Sequence, residues 1–373
     1  MVVLDMKIKN HNLINRFQNF ILGMKREDNI GIVYHADPDG VCSAAILAKA
    51  IKAIRKKEVD SLFYASNYAI LKNILQDMQD YRFNKLIFLD MSVDQISEIK
   101  KTEQFSDILV LDHHKLYKDI NSKKTTLIKP QMVFSRVNSD FYCCSKLSYD
   151  LVNNVIDLSC LDWIAVIGIL GDSCFEYWKP FVNKVLKKYG INKKPDIYKS
   201  QLGKAAELIF YSIAHNIKNA NICYNLLYNS KDYKDIVNSK IKRYGKEIQN
   251  EVDYWNSNVN QLAEKYPDLE LIIDFIKPRY FINPAVIRYI SIRNPDKTII
   301  IAQDMNLDTL HISGRRADSK IAVNALLEKS IENLQGANAG GHESAAAATI
   351  RKQDFFRFKN NIIRILSNNL SLN

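Results

Sequence analysis

Residues 34–44 read YHADPDGVCSA and place His35, Asp37 and Asp39 within five positions, around a proline and a glycine. Asp-Pro-Asp-Gly is ordinary turn chemistry, and on that interpretation the stretch is simply a turn. A turn does not require the histidine, however, whereas a divalent cation binds carboxylate oxygens together with an imidazole nitrogen. The stretch therefore predicts a metal-binding loop, provided that other segments supply further ligands.

Acidic residues and histidines also stand at the ends of three short apolar runs that are typical of buried parallel strands. These ends are His35 after IGIVY at 30–34, Asp90 closing KLIFLD at 85–90, and Asp112 closing DILVLD at 107–112, with His113 and His114 next. In parallel sheets ligands gather outside the carboxyl ends of the strands. Since separate strands have no packing reason to end alike, we expect these side chains to meet in one site. Asp172 closes the apolar helical pattern CLDWIAVIGILGD, where an unpaired carboxylate would be costly, and is expected to join them.

The predicted site contains four carboxylates and two imidazoles: His35, Asp37, Asp39, Asp90, His113 and Asp172. This is too many ligands for one tetrahedral zinc ion, but two ions bridged by one carboxylate fit. Oxygen-rich ligation with some imidazole favours Mn²⁺ or Mg²⁺ over Zn²⁺, and of the two we expect Mn²⁺. Two ions roughly 3.5 to 4 Å apart form the arrangement used for in-line attack on phosphorus by a bridging hydroxide. Any one of these residues alone is more often a cap, a turn residue or a satisfied core group. Their repetition at strand ends indicates a site for phosphoester hydrolysis.

The sequence does not contain the motifs of other common catalytic or binding sites. The sequence contains no GxxxxGK[ST] phosphate loop and no GxSxG nucleophile elbow. The cysteines at 42, 143, 144, 160, 174 and 223 include no CxxC pair, so we expect buried thiols rather than disulfides or a zinc site. His11 and His215 have no such context and are predicted to be surface residues, while His311 stays open as a site residue.

Composition limits the class of protein. At 373 residues and 47% apolar content the chain is long enough for two folded domains, and no apolar run approaches the roughly 20 residues of a membrane span. The start lacks a signal-peptide pattern, so we expect a soluble, cytoplasmic protein without a membrane partner. The formal charge is +11, and residues 181–265 hold 15 Lys or Arg against 8 Asp or Glu. This surplus favours a polyanionic partner such as nucleic acid, although lysine-rich helices are often simply solvated.

Strand and helix patterns alternate in the first part of the chain, which predicts an α/β fold with a mostly parallel sheet, assigned to 1–180. Residues 181–265 are helical and polar, with one long helix from Ile236, and predict a helical connector. Strand and helix signals return in 266–373 and predict a second, smaller α/β domain. A turn before a small-residue strand of that domain is predicted at Gly340, Gly341 and His342.

Six motifs lie in order along the chain: HADPDG (35–40), FLDMS (88–92), LDHH (111–114), GILGD (168–172), SGRR (313–316) and GGH (340–342). With these motifs the chain resembles the DHH phosphoesterase superfamily. Within it, the chain resembles the branch with a C-terminal DHHA1 domain, which includes RecJ-like exonucleases and nanoRNases. The resemblance spans nearly the whole chain and implies a DHH catalytic domain joined by a helical linker to a smaller DHHA1 domain.

The resemblance also implies roles for single residues. The implied ion ligands are His35 and Asp37 for one ion, Asp39, His113 and Asp172 for the other, and Asp90 as the bridge between both. His114 would face the scissile phosphate, and Asp112 would orient a histidine from behind. The implied substrate contacts in the second domain are Ser313, Arg315, Arg316, Gly340, Gly341 and His342.

The implied activity is that of a Mn²⁺- or Mg²⁺-dependent RecJ-like exonuclease that hydrolyses single-stranded DNA or RNA to mononucleotides. Two alternatives stay open: a nanoRNase or cyclic-dinucleotide phosphodiesterase acting on short substrates, and a non-catalytic scaffold in replication, against which the intact ligand set argues. Full-length bacterial RecJ proteins carry an additional OB-type domain for which 373 residues leave no room, and the GGH motif is followed by ESAAAAT where many relatives have a further glycine. Substrate length is therefore open. Protein partners in replication or repair are compatible with the resemblance.

Overall fold

The chain divides into two compact units, Met1–Gly245 and Lys246–Asn373, which we call the first and the second unit. Each combines a β-sheet with helices, as the predicted α/β class requires. The computed structural model describes residues 7–66, 68–78, 82–305 and 308–370.

The first unit is built on a sheet of five parallel strands in the order β2-β1-β3-β4-β5. The strands are β1 (Ile30–His35), β2 (Ser61–Ala65), β3 (Lys85–Leu89), β4 (Asp107–Leu111) and β5 (Thr125–Ile128). Apolar side chains are buried on both faces, as is usual where helices cover a parallel sheet. The three strands predicted from IGIVY, KLIFLD and DILVLD are confirmed to within one residue as β1, β3 and β4. β5 is an addition, because TTLI is short and begins with two threonines.

Helices cover this sheet and extend well beyond the predicted domain boundary. The helices are α1 (His11–Leu22), α2 (Pro38–Arg55), α3 (Tyr68–Asp77), α4 (Ile99–Thr102), α5 (Pro130–Val133), α6 (Cys144–Asn153), α7 (Asp162–Gly171), α8 (Phe175–Lys188), α9 (Gln201–His215), α10 (Asn219–Asn229) and α11 (Tyr233–Val237). A further helix, α12 (Lys242–Leu262), begins in the first unit, and most of its residues belong to the second. α7 is buried on all sides, as its apolar sequence predicts. None of the helices within the described residues combines the length and the apolar composition that crossing a bilayer requires.

The segment 181–265, predicted as a helical connector, is largely helical, and much of it packs on the first unit. The predicted boundary at residue 180 lies inside α8, and the first unit continues to Gly245. The reason is that α9 packs against α7 and α10 against α2, which buries Leu202, Ile209 and Leu227 in the core of the first unit. The predicted long helix is also shorter, because α11 ends at Val237 and α12 begins at Lys242.

The second unit contains a mixed six-stranded sheet in the order β10-β11-β9-β8-β7-β6, in which β7 and β8 form the parallel pair. Its strands are β6 (Glu264–Tyr266), β7 (Leu271–Ile276), β8 (Thr298–Asp304), β9 (Thr309–Arg315), β10 (Asn338–Gly341) and β11 (Ala345–Arg351). Its helices are α13 (Asn283–Arg293), α14 (Val323–Ser330) and α15 (Phe355–Leu370). The predicted second α/β domain is confirmed as a separate sheet with its own core, in which Ile300, Ile312 and Phe358 are buried.

Candidate metal centre

The strand order of the first unit creates a crevice at the carboxyl ends of β1 and β3. β2 lies on one side of β1, while β3, β4 and β5 lie on the other, so the order reverses between β1 and β3. Open parallel sheets bind ligands at such a switch point. His35 closes β1 and Asp90 directly follows β3. Topology alone therefore brings two of the predicted ligands to this crevice.

The HADPDG segment leads directly from β1 into α2. Asp37 is the N-cap of the helix, and its Oδ1 accepts a hydrogen bond from the Gly40 N–H at 2.8 Å. Pro38 lies in the first turn, where the missing N–H costs nothing. A Cβ atom on Gly40 would lie 2.3 Å from the carbonyl oxygen of His35, so this close approach requires glycine. The segment is a helix start rather than a separate turn, and it fixes Asp37 and Asp39 relative to the strand end.

His35, Asp37 and Asp90 form the first of two clusters, with ligand atoms within 4.8 Å of one another. Nδ1 of His35 lies 2.9 Å from Oδ2 of Asp37 and 3.7 Å from Oδ2 of Asp90. Asp90 is 3% exposed and has a left-handed backbone, with φ of 63°. Aspartate and asparagine tolerate this conformation better than most residues. Asp90 therefore ends the extended strand conformation at the position where its carboxylate enters the cluster.

Asp39, His113 and Asp172 form the second cluster, which is equally compact. Nε2 of His113 lies 3.7 Å from Oδ2 of Asp172 and 3.3 Å from Oδ1 of Asp90. Asp90 thus approaches His35 with one oxygen and His113 with the other. The structure brings together every side chain predicted to bind an ion, divided into two adjoining groups as the family resemblance implies. That these groups bind ions stays a prediction.

The N-terminus of α6 holds Asp39 in place. Oδ2 of Asp39 accepts a hydrogen bond from the Cys144 N–H at 2.7 Å, and Oδ1 accepts one from the Ser145 N–H at 3.0 Å. A helix N-terminus is a favourable environment for a carboxylate. α7 passes so close that a Cβ atom on Gly168 would lie 2.0 Å from Oγ of Ser145 and 2.9 Å from Oδ1 of Asp39. The glycine therefore permits the helix contact through which α7 delivers Asp172.

Burial and mutual repulsion set the protonation of the carboxyl groups. Burial, together with the charges of Asp37 and Asp39, raises the pKa of Asp90 well above its usual range. Burial and the nearby Asp172 likewise raise the pKa of Asp39. Burial also opposes ionisation of Asp37, but its contacts with His35 hold its pKa well below the usual range. The carboxyl groups of the site therefore cannot all ionise without additional positive charge.

The two histidines supply part of that charge. Burial alone would lower the pKa of His113, but Asp172 and Asp90 raise it well above its usual value, and in the same way Asp37 outweighs burial at His35. Within the described residues, Nδ1 of His35 and Oδ1 of Asp90 are buried without a hydrogen bond of good geometry. Buried polar atoms of this kind need a partner. The donor set of carboxylates and imidazoles fits Mn²⁺ or Mg²⁺ at this position.

A buried polar chain leads from His114 into the sheet. Nδ1 of His114 lies 2.6 Å from Oδ1 of Asp112, and Oδ2 of Asp112 lies 2.9 Å from Nζ of Lys129. Lys129 also lies 3.2 Å from Asp94, and the side chains of Lys129, Asp112 and Asp94 are all fully buried. Burial opposes ionisation of Asp112, but Lys129 and then His114 hold its pKa well below the usual range. An ionised Asp112 can only accept, so it keeps a proton on Nδ1 of His114 and directs Nε2 away from itself.

Two members of this polar chain, Lys129 and Asp94, were not predicted from the sequence. Lys129 directly follows β5 and obeys the same strand-end rule as the predicted ligands, so recognising TTLI as a strand would have found it. Asp94 lies beyond the FLDMS motif and also accepts a hydrogen bond from the Tyr117 N–H at 2.8 Å. The N–H groups of Cys144 and Ser145 that hold Asp39 are main-chain groups, which carry no sequence signature.

In the second unit, Ser313 and Arg315 lie on the more exposed face of β9, where they alternate with buried residues. Ser313 pairs with Ala347 of β11, which in turn pairs with Gly340 of β10. Residues directly opposite each other in antiparallel strands share a face of the sheet. Ser313, Ala347 and Gly340 therefore form a row of small residues across three strands, over which a ligand can approach the backbone closely.

Gly341 and His342 close the hairpin between β10 and β11. Gly341 has φ of 133°, and a Cβ atom there would lie 2.7 Å from Cα of Ala346, so the position requires glycine. The N–H of His342 donates to the carbonyl oxygen of Ala345 at 2.8 Å. The predicted turn at Gly340 and Gly341 is wrong, because both glycines pair with β11 as part of a strand and the turn begins at His342.

Arg316 does not have the environment predicted for it. The residue is 1% exposed, and its guanidinium donates to Oδ1 of Asp318 at 2.7 Å, to Oε2 of Glu270 at 2.6 Å and to Oγ1 of Thr298 at 3.2 Å. An arginine with these internal partners stabilises the fold of the second unit. The structure therefore does not support the predicted substrate contact of Arg316, whereas Arg315 lies on the more exposed face of β9.

The remaining singled-out residues divide between surface and interior. The cysteines at 42, 143, 144, 174 and 223 are buried thiols as predicted, but Cys160 is exposed. His11 is exposed as predicted. His215, also predicted to be a surface residue, is half-buried and contacts Tyr244, with ring centroids 4.5 Å apart and ring planes inclined at 40°. His311 is half-buried on β9.

Two family models match the chain. The model of the DHH family, N-terminal domain, matches residues 29–167, and the model of the DHHA1 domain matches residues 283–368. The chain therefore belongs to the DHH phosphoesterase superfamily, with a DHH domain followed by a DHHA1 domain. No curated protein matches the sequence.

Solved structures share this fold. RecJ from Thermus thermophilus in complex with Mn²⁺ is 13% identical with a TM-score of 0.70, over 96% of this chain and 55% of that one. The exonuclease RecJ bound to manganese is 14% identical with a TM-score of 0.67, over 98% and 96%. CDC45 from Entamoeba histolytica is 11% identical with a TM-score of 0.57, over 96% and 98%. The chain thus spans about half the length of the Thermus protein, and identities this low establish the fold alone.

Asp90→Asn tests whether Asp90 is the ligand shared by both clusters. Asparagine preserves size and tolerates the left-handed backbone, but it carries no charge. The folded-state pKa of Asp90 is raised, so the metal-free wild type loses stability as the pH rises above about 3.9, the ordinary carboxyl value. The variant lacks this loss. We expect metal-free Asp90→Asn to melt at or above the wild-type temperature in mildly alkaline buffer, and to gain much less stability from added Mn²⁺.

Thermal unfolding with a chelator or with Mn²⁺ measures both effects. Asp107→Asn is the matched control, because Asp107 begins β4 at the opposite end of the strands and its side chain is half-buried beside Lys85, away from both clusters. It should leave the Mn²⁺-induced shift unchanged. An Asp90→Asn protein with the full wild-type shift would contradict the assignment of Asp90 as the shared ligand.

Lys129→Met tests the buried polar chain. The substitution leaves Asp94 and Asp112 buried without their common cation, and breaking a buried ion pair in this way costs about 3 to 5 kcal/mol. We expect the free energy of unfolding in urea to fall by this amount. Lys52→Met removes an exposed ion pair with Glu58 and should have a far smaller effect. Equal losses in the two variants would show that Lys129 is not the required counter-charge.

Proposed function

We propose that the protein is a divalent-metal-dependent phosphodiesterase, and specifically a RecJ-like exonuclease that hydrolyses single-stranded DNA or RNA from one end to mononucleotides. The observation that carries the proposal is the pair of adjoining clusters joined by Asp90 at the switch point of a DHH domain. A chain in which every side chain of the predicted ion-binding set converges on one crevice favours catalysis over a purely structural role.

Bound Mn²⁺ or Mg²⁺ would supply the Lewis acidity that activates water and neutralises charge on the phosphate. The residues proposed to hold the ions are His35 and Asp37 at one position, Asp39, His113 and Asp172 at the other, and Asp90 at both. The fold positions two of these groups without an ion. Asp37 is fixed because it caps α2, and Asp39 is fixed because it accepts hydrogen bonds from the N-terminus of α6. Preorganisation of this kind means that little rearrangement accompanies binding.

His114 is proposed to act on the substrate rather than on the ions. Asp112 fixes the proton on Nδ1, so Nε2 is the nitrogen available to stabilise charge on the phosphate or to protonate the leaving oxygen. Lys129 keeps Asp112 ionised from the far side. The side chain of His114 is 26% exposed, which gives it access to solvent that the fully buried Asp112 lacks.

The second unit is proposed to supply the substrate-binding groups. Arg315 can donate two parallel hydrogen bonds to phosphate oxygens, which a lysine cannot. Ser313 and the backbone at Gly340 and Gly341 lie on or beside the row of small residues, where a nucleotide can contact the main chain. His342 follows in the hairpin turn.

The first unit adds positive charge through exposed lysines of α8 and the following segment, including Lys184, Lys187 and Lys193. Such charge favours binding of a polyanion.

A length series of substrates tests the proposal. Purified protein with Mn²⁺ is incubated with end-labelled trinucleotides and with oligonucleotides of about 30 nucleotides, longer than one single-strand binding fold covers, both as DNA and as RNA. We expect the long single strands to shorten to mononucleotides, and Asp90→Asn to leave them intact. Degradation confined to the shortest RNAs or to cyclic dinucleotides would replace the exonuclease by an enzyme for short substrates. No hydrolysis of any substrate would favour a non-catalytic scaffold.

Arg315→Ala and Arg316→Ala form a matched pair for the proposed substrate contact. Loss of a charge-assisted hydrogen bond of about 1.5 to 3 kcal/mol should raise KM by roughly 10- to 100-fold in Arg315→Ala, with little change in melting temperature. Arg316→Ala should do the reverse, because Arg316 is buried against Asp318 and Glu270. Steady-state kinetics and thermal unfolding distinguish the two. An unchanged KM in Arg315→Ala would remove this residue from the binding site.

A further inference from the structure

Two buried cysteines lie beside the metal centre and take no part in the proposed reaction. Cys143 precedes α6 and Cys174 precedes α8, and they are 0% and 1% exposed. Sγ of Cys174 lies 3.2 Å from Oδ2 of Asp172. The two sulfurs and a carboxylate oxygen of Asp172 all lie within 4.8 Å of one another. Two soft ligands and one hard ligand thus converge at a point next to the second cluster.

Asp172 belongs to two groups of different chemistry. With Asp39 and His113 it forms an oxygen and nitrogen set, and with Cys143 and Cys174 it forms a sulfur and oxygen set. Mn²⁺ and Mg²⁺ prefer the first kind of donor, whereas thiolates select Zn²⁺ and similar thiophilic ions. The carboxylate of Asp172 can therefore bind a cation of either class.

The geometry of the sulfur set suits a tetrahedral ion. With Zn–S bonds of about 2.3 Å, two sulfurs on one tetrahedral zinc lie about 3.8 Å apart. Ligand atoms within 4.8 Å of one another reach such positions by small side-chain movements. The side chain of Asp172 is 26% exposed, so an ion can arrive at this carboxylate from solvent and then contact the sulfurs behind it. Water can complete the fourth position.

We propose that Cys143, Cys174 and Asp172 form a separate binding site for a thiophilic divalent cation, Zn²⁺, and that its occupation inhibits the enzyme. Coordination replaces the two thiol protons, which pass to solvent, and involves no change of oxidation state. The bound Zn²⁺ draws Asp172 away from Asp39 and His113, so the second ion of the catalytic pair loses a ligand. The binding site stands on the cluster itself, while the inhibition rests on the proposed function.

Sulfur coordination is tested by a measurement that needs no activity. Cd²⁺ is titrated into the reduced, metal-free full chain, and the sulfur-to-cadmium charge-transfer absorption in the ultraviolet is recorded. We expect a saturating band in the wild type, its loss in Cys143→Ala and in Cys174→Ala, and its retention in Cys160→Ser, which removes the exposed cysteine. Circular dichroism verifies that each variant folds. Absence of the band in the wild type, or its persistence in both alanine variants, would overturn the site whatever the enzyme hydrolyses.

Inhibition is tested by titrating Zn²⁺ into Mn²⁺-supported hydrolysis. Zn²⁺ can also displace Mn²⁺ from the catalytic ligands, and this effect is common to all variants. We expect the wild type and Cys160→Ser to be inhibited at Zn²⁺ concentrations at least about tenfold lower than Cys143→Ala and Cys174→Ala, since loss of a metal contact costs affinity on this scale. Equal sensitivity in all four proteins would refute the inhibitory role. A chain that binds Cd²⁺ through sulfur but hydrolyses nothing would leave the site standing and remove the proposed function instead.

Discussion

The crowding of carboxylates at the ends of β1 and β3, most of them buried, is the constraint on which the first unit depends. Asp37, Asp39 and Asp90 cannot all ionise in this environment without positive charge nearby. The fold supplies part of it through His35, His113 and the N-terminus of α6. The start of α2 fixes the positions of Asp37 and Asp39, and α7 brings Asp172 close to them. Crowding of this kind costs stability locally, a compromise that is typical of functional sites.

The residues of this site were accessible from the sequence because they obey one topological rule. Parallel strands deliver their carboxyl ends to a common edge, so His35, Asp90 and His113 could be placed together before any coordinates were known. What the sequence could not supply was the support behind them. Main-chain N–H groups leave no signature, and Lys129 was hidden because the strand before it is short and polar. Distances, protonation and the sharing of Asp90 between the clusters required the structure.

In the second unit, the neighbouring residues Arg315 and Arg316 show where a motif alone misleads. Read as a motif, SGRR suggests two equivalent phosphate donors. Read with the two-residue period of a strand, it assigns the arginines to opposite environments, and the structure places Arg316 in a buried network with Glu270 and Asp318. Charged residues along 181–245 similarly favoured the interpretation as a connector, whereas the apolar faces of these helices pack on the first unit's core.

β5 is an edge strand of its sheet and contains four residues. Lys129, the counter-ion of Asp112, directly follows this short strand. Short edge strands open at lower free energy than central ones. If β5 opened locally, Asp112 would lose its counter-ion Lys129, and His114 would lose the partner that fixes its proton. The polar chain behind His114 is therefore tied to a short edge strand rather than to the centre of the sheet. Local opening of β5 would therefore disturb the proposed site before the core of the unit unfolds.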